Sequence, residues 1–242
     1  MKNLILLAAI ASVGLMSCKK KGCTDPQAVN YNSEAQNDDE TCNYIPAIAI
    51  TGSANMDVTL GSTYSDPGAT ATNKDGSSVT VTSDLSQVNT GAVGSFVVTY
   101  TATNEHGTAT PTRTVNVVIG QDNWLGTPSV TDDCNVALFP VSGSPTITAG
   151  ATTSDLIFDP MFTLVGGTMN ATVDGSDITV PQQTINVTTG DIIFSGSGTM
   201  NVNGTQFTIV YNYENTTPVV GGTGTCTAVS YTHLTLPTSS WV

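Results

Sequence analysis

The sequence predicts an all-β fold, and three observations carry that prediction. Charged residues make up only 10% of the chain while Gly, Ser, Thr and Asn abound, which suits sheets with polar faces and suits long helices poorly. The apolar content, 39%, falls in alternating runs that a solvated tail would lack. Turn dipeptides such as Asp75-Gly76, Asp174-Gly175 and Asn203-Gly204 punctuate those runs. With 242 residues there is room for two small β domains once a targeting segment is removed.

Residues 1–17 read as a secretory signal: Lys2, an apolar run from Leu4 to Leu15, and a small residue, Ser17, before Cys18. The run is too short to span a bilayer as a helix, which needs about 20 residues. Leu15-Met16-Ser17-Cys18 resembles the lipobox of bacterial lipoproteins. The resemblance implies that Cys18 is diacylated and becomes the mature N-terminus, with the membrane as a partner and the outer membrane of the cell envelope as the location. Several acyl chains on one residue anchor stably, at about 0.8 kcal/mol per buried CH₂. In the linker 18–21, Lys19, Lys20 and Lys21 then sit beside lipid headgroups. Surface-export signals of Bacteroidota lipoproteins usually carry acidic residues after the Cys, and here there are none, so periplasmic and external faces both stay open.

The formal net charge is −13, and of the six Lys and Arg only Lys74 and Arg113 lie beyond residue 21. A surface this acidic repels phosphate backbones, which excludes nucleic acid; cations or neutral glycans suit it better as partners, and solubility in an extracytoplasmic space is the favoured reading of the charge. With Cys18 reserved for lipid, the other four cysteines can pair without remainder in an oxidising compartment. The most local of the three connectivities joins Cys23 to Cys42 and Cys134 to Cys226. Zinc is the rival use of these sulfurs, but there is no CxxC or His partner.

Residues 22–45 open with GCTDPQAVNYNSEAQNDDETCNY, which resembles a short module, GCTDPxAxNYNPxAxxDDGSCxY, of secreted and surface proteins of the Bacteroidota. The match departs at Ser33, where proline is usual, and at Glu40-Thr41, where Gly-Ser is usual. So small a segment cannot bury enough apolar surface alone, and the disulfide must hold it. Asp25, Asp38, Asp39 and Glu40 supply hard oxygen ligands of the kind calcium takes, but the spacing is not an EF-hand loop and turn carboxylates are the favoured reading. No other cofactor is expected.

Residues 46–120 show short strands about ten residues apart, which a sandwich fits best. Phe96, Val98, Tyr100 and Ala102 share one face of a strand, and Val115, Val117 and Ile119 repeat the pattern, with Asn104-Glu105-His106-Gly107 as the hairpin loop between them. Asp66-Pro67-Gly68 reads as turn chemistry, and His106 as a solvated loop residue. The stretches ITGSANMDVTLGSTYSDPGATATNKDGSSVTVTS and GAVGSFVVTYTATNEHGTATPTRTVNVV resemble a bacterial Ig-like domain, a type also attached to a pesticidal crystal protein. The resemblance rests on Gly61, Tyr64, Asp66, Pro67, Gly68, Tyr100, Ala102 and Arg113, among others, and implies a spacer or adhesive role.

Residues 121–228 read as eight to ten antiparallel strands in a meander, a β-barrel or β-sandwich of possible lipocalin-like shape. Asp174-Gly175 and Asn203-Gly204 both suit type I′ hairpins, and Phe207, Ile209, Tyr211 and Tyr213 share one strand face. The words WLGTPSVTDDC, ITVPQQTINV and FSGSGTMNVNGTQFTIVY resemble an uncharacterised C-terminal domain of Bacteroidota lipoproteins. Residues 229–242 stand apart: SYTHLTLPT, with Val229 before it, is similar to the translated transposon adapter of sequencing libraries. His233 and Trp241 then lose any claim to function, and the last strand is expected to end just after Cys226.

The sequence lacks GxSxG, HExxH, Walker and GxGxxG patterns. Asp132-Asp133 and the Asp155/Asp159 pair are the carboxylate groupings to test for glycoside chemistry, and neighbours in one strand point to opposite faces. The expectation is a non-enzymatic, lipid-anchored envelope protein whose Ig-like domain spaces a β-rich binding or structural domain, with a glycan or protein ligand. A lipocalin-like carrier of a small apolar ligand is the alternative, and a glycan-acting enzyme the weakest reading.

Overall fold

A computed structural model describes residues 19–134, 143–163, 166–188, 190–218 and 221–231. The fold class is the one the sequence predicts: all-β, an Ig-like β-sandwich followed by a meander whose sheet curls into a half-barrel. The first half carries β1 (Ala47–Ile50), β2 (Asn55–Thr59), β3 (Ala69–Thr72), β4 (Ser78–Val79), β5 (Thr82–Asp84), β6 (Gly94–Asn104), β7 (Gly107–Ala109) and β8 (Thr112–Val118). After a 3-10 turn at Gln121–Trp124 come β9 (Ser129–Asp132), β10 (Thr146–Ala149), β11 (Asp155–Asp159), β12 (Met169–Asp174), β13 (Asp177–Val187), β14 (Gly190–Met200), β15 (Gln206–Asn215) and β16 (Gly222–Tyr231).

The chain falls into two compact units. The first gathers the described residues up to Ala49 with Ala69–Thr82 and Tyr100–Pro111. It holds the Cys23–Cys42 disulfide and most of the β1-β3-β4 sheet. It also holds the β6–β7 hairpin, where Asn104 pairs with Gly107 across Glu105-His106. Tyr100 and Ala102 are buried there, as the alternation predicts.

The second unit takes Ile50–Gly68, Ser83–Thr99 and everything from Thr112 on. Within it β8 runs parallel to β2, from Asn55 opposite Thr114 to Thr59 opposite Val118, and antiparallel to the first part of β6. Arg113, on β8, is fully buried. It forms an ion pair with Asp66, and it donates from Nε to the Ser53 carbonyl at 3.0 Å and from its terminal nitrogen to Thr51. Tyr64 donates its hydroxyl to the same Asp66 oxygen at 3.2 Å. Asp66 is therefore more than turn chemistry: it neutralises a cation inside the fold, where an isolated charge would be costly.

The eight-stranded sheet has the order β10-β11-β12-β13-β14-β15-β16-β9, antiparallel throughout. Each edge strand is met by a flanking segment: Gly126, before β9, exchanges bonds with Ile147 of β10 (Gly126 N to Ile147 O at 3.0 Å, Ile147 N to Gly126 O at 2.7 Å), and Val130 of β9 donates to Gly143 O, before β10, at 2.9 Å. Two devices curl the sheet. Between Val180–Gly196 and Gln183–Phe194 the register slips, so that Pro181 and Gln182 stand opposite one residue, a bulge where proline's missing N–H is harmless. The Gln183 side chain closes the gap on the other side, bonding Asn170 N at 2.9 Å and Asn170 O at 2.8 Å. Gly196 and Gly198 on β14 let β15 approach where a Cβ would strike backbone, at 2.6 Å from Val210 O in the case of Gly196.

The core behind this sheet is large. Trp124 is fully buried, its ring 5.3 Å from Phe207, and Phe158 meets Phe207 edge-on at 6.2 Å. Each such side chain stabilises by about 1.5–3 kcal/mol when removed from water. Trp124 Nε1 donates to Gly175 O at 3.3 Å, and Asn123 ties the 3-10 turn down by donating to Leu60 O at 3.0 Å.

Three expectations are corrected. At the β12–β13 hairpin Asp174 pairs with Asp177, so the loop is Gly175-Ser176. Only Gly175 there has positive φ (58°), the type II′ pattern rather than I′. At the β14–β15 connection Gly204 N bonds Asn201 O at 2.9 Å and positive φ (65°) occurs at Gly204, not Asn203, which makes a longer loop. The last strand does not end after Cys226: β16 continues through Tyr231, with Val229 opposite Thr208 and Ser230 fully buried opposite Phe207. Its alternation simply carries on.

Candidate functional site

The disulfide module has almost no apolar interior; Cys23 and Ala28 are its buried hydrophobic residues. Polar clamps hold it instead. Asn30 donates to Thr41 O at 2.7 Å and accepts from Asn43 N at 2.8 Å, while Asn32 N reaches Cys23 O at 2.9 Å. The carboxylates considered for calcium are used locally. Asp25 accepts from Gln27 N at 2.9 Å and from the Tyr44 hydroxyl at 2.6 Å. Asp38 accepts from Glu40 N at 3.1 Å, and Asp39 from the Thr41 hydroxyl at 2.6 Å. Tyr44's hydrogen bond holds the Asp25 carboxyl below the usual carboxylate range, and Thr41's does the same for Asp39. Asp25, Asp38, Asp39 and Glu40 are not brought together: among the described residues the group of His, Cys, Asp or Glu ligand atoms within 4.8 Å of one another is Asp132, Cys134 and Cys226. The sulfurs of that group are joined in the Cys134–Cys226 disulfide.

Beside the module lies an open groove of about 580 Å³, lined by Tyr44, the 73–75 loop and the β6–β7 hairpin tip. Asn104 organises it. Its amide donates to Tyr44 O and to Asn73 Oδ1, both at 2.9 Å, and its carbonyl accepts from His106 N at 2.9 Å. Asp75 caps its own turn through Ser77 N at 2.9 Å, and Gly76 (φ 85°) supplies the left-handed residue that turn requires. The Lys74 ammonium stands 4.6 Å above the Tyr44 ring, and His106 Nε2 is 3.5 Å from Glu105. A second hollow of about 400 Å³ shares Tyr44, Asn73 and Lys74 and continues past Pro46 and Thr72.

In the C-terminal sheet Asp132 accepts from the buried Tyr211 hydroxyl at 2.5 Å and from Cys134 N at 2.9 Å. Burial first, then that bond, push the Tyr211 phenol above its ordinary value. Asp133 accepts from Thr227 N at 2.6 Å, and Asp155 from Thr152 N at 3.0 Å. Among the described residues, Phe158, Met161, Met169, Phe207 and Tyr211 line a void of about 20 Å³.

Residues 48–117 match the family model of the bacterial surface protein Ig-like domain. That segment is less than half of the chain, and it fits a cell-surface β protein. A search of curated proteins returns no match. Among solved structures, the crystal structure of the lipoprotein BT2262 from Bacteroides thetaiotaomicron aligns at 12% identity over 77% of this chain and 100% of that one, with a TM-score of 0.28. A likeness at that level carries no argument about fold or function. No helix among the described residues is long and apolar enough to cross a membrane.

Cys18, His233 and Trp241 lie outside the described residues. Sequence reasoning did not find the groove. Its signal was that Lys74 and His106 both fall in turns of the same Ig-like segment.

Proposed function

We propose that the protein is a lipid-anchored cell-envelope protein without enzymatic activity, tethered through Cys18, whose Ig-like domain is a spacer or adhesive module for the β-rich C-terminal domain. The observation that carries this reading is the match of residues 48–117 to the Ig-like domain of bacterial surface proteins. The start of the chain supports it. Lys20 O accepts from Gln36 N at 2.8 Å and from Asn37 N at 3.3 Å, so the folded module begins two residues after Cys18. Two residues reach about 7 Å, which keeps the module at the lipid surface.

The test is mass spectrometry of the protein extracted from membranes. A diacylglyceryl adduct on Cys18, and release of Cys18→Ser into the soluble fraction, are expected; an unmodified thiol on cleaved chain overturns the anchoring.

A further inference from the structure

We infer that the groove at the Lys74–Tyr44 pair is a binding track for a linear, neutral glycan chain. The inference deepens the adhesive reading above and rests on it. Four features of the groove select this ligand class.

The first is shape. The hollows of about 580 Å³ and about 400 Å³ are both open and share Tyr44, Asn73 and Lys74 in their lining, so concave surface lies on both sides of the Lys74–Tyr44 pair. Each is within the usual range of ligand sites, about 300–1,000 Å³. Open concave surface accepts internal segments of a polymer, whereas a closed pit selects chain ends or single sugars.

The second is charge. The chain carries a net −13, and Asp75 and Glu105 line the groove alongside Lys74. The Asp25 carboxylate, bonded to the Tyr44 hydroxyl at 2.6 Å, adds to that field. Polyanions are repelled. A ligand cation would compete for the Tyr44 ring face with the chain's own ammonium, already 4.6 Å from the centroid.

The third is hydrogen-bonding capacity. Lys74 and the His106 ring offer donors, while Asp75, Glu105 and Asn73 offer acceptors, among the residues that line the groove. Sugar hydroxyls are donors and acceptors at once and satisfy both kinds; an apolar ligand would desolvate these groups without replacing their bonds.

The fourth is preorganisation. The three lining segments are far apart in sequence, yet Asn104 ties them together through Tyr44 O, Asn73 Oδ1 and His106 N, each at 2.9 Å. Groups fixed before binding lose less freedom on binding.

The test uses the lipidated full chain in detergent micelles. Calorimetry is run with neutral cello-, xylo-, manno- and malto-hexaose, with the corresponding monosaccharides, and with hexagalacturonate. At least one neutral hexasaccharide is expected to bind, its monosaccharide about tenfold or more weaker. Lys74→Ala and His106→Ala are each expected to weaken it about tenfold, the loss of one or two hydrogen bonds. Thermal midpoints accompany both variants, and His106→Ala, at a hairpin tip, stands alone if Lys74→Ala loosens the module. Three results overturn the inference: no neutral hexasaccharide binding at 10 mM, hexagalacturonate binding best, or affinity unchanged in a folded variant. None of these bears on acylation of Cys18, so the anchoring reading stands or falls separately.

Discussion

Glu40 is a residue whose backbone explains its place in the module. It adopts φ 61°, in the left-handed region, where the motif it resembles has glycine. An L-residue there costs about 1–2 kcal/mol, so Glu40→Gly is expected to stabilise the module by about 1 kcal/mol, read as a higher thermal midpoint. Asp66 works in the opposite sense. Its partner Arg113 has a fully buried side chain, and Asp66 itself is nearly so. Asp66→Ala is expected to cost about 3 kcal/mol in urea unfolding, more than any surface carboxylate. Asp25 makes the module acid-sensitive. Its folded carboxyl is held below the ordinary value by Tyr44, so the stability it contributes is present above about pH 4 and is lost as pH falls through the lower folded value. Amide exchange at Gln27 is expected to accelerate below that pH, and Tyr44→Phe is expected to shift the onset upward toward the ordinary carboxylate range.

Strands were legible wherever one face is buried. Phe96 to Ala102 and Phe207 to Tyr213 alternate in the sequence as they do in the sheets, because period two is imposed by the pleat. Turn types were less legible, because a dipeptide does not fix which two residues fall at the centre. The Asp174–Asp177 register displaced Asp-Gly by one position. The parallel β2–β8 pair and the buried Arg113 were not legible at all, since both depend on contacts between segments over 50 residues apart. The groove failed for the same reason: its turns could be read, their convergence on Tyr44 could not. Gly196 and Gly198 show how an element's curvature hides in small residues. A Cβ on Gly198 would overlap the Thr208 carbonyl of the neighbouring strand. Gly198→Ala is expected to cost about 2–3 kcal/mol in urea unfolding, whereas Ser197→Ala, exposed on the opposite face, is expected to cost almost nothing.

Across the whole molecule the two disulfides do unequal work. Cys134–Cys226 joins positions 92 apart, and Cys23–Cys42 positions 19 apart. Loop entropy assigns the longer loop more stabilisation, about 4–5 kcal/mol against about 3. What each disulfide supports reverses that ranking in consequence. The second unit rests on a continuous core that includes Trp124, Phe158, Phe194 and Phe207. Residues 22–45 rest on Cys23, Ala28 and a few amide clamps. A segment that small without a core is not expected to stay folded once its crosslink opens. Hydrogen exchange in the presence of a dithiol reductant is therefore expected to lose all protection over residues 23–43 at once, while β13, β14 and β15 exchange faster but remain protected. Equal loss in both units would mean that the barrel-like sheet, too, depends on its crosslink. Retained protection in the module would mean that Asn30, Asn32 and the Asp25–Tyr44 bond suffice without the disulfide.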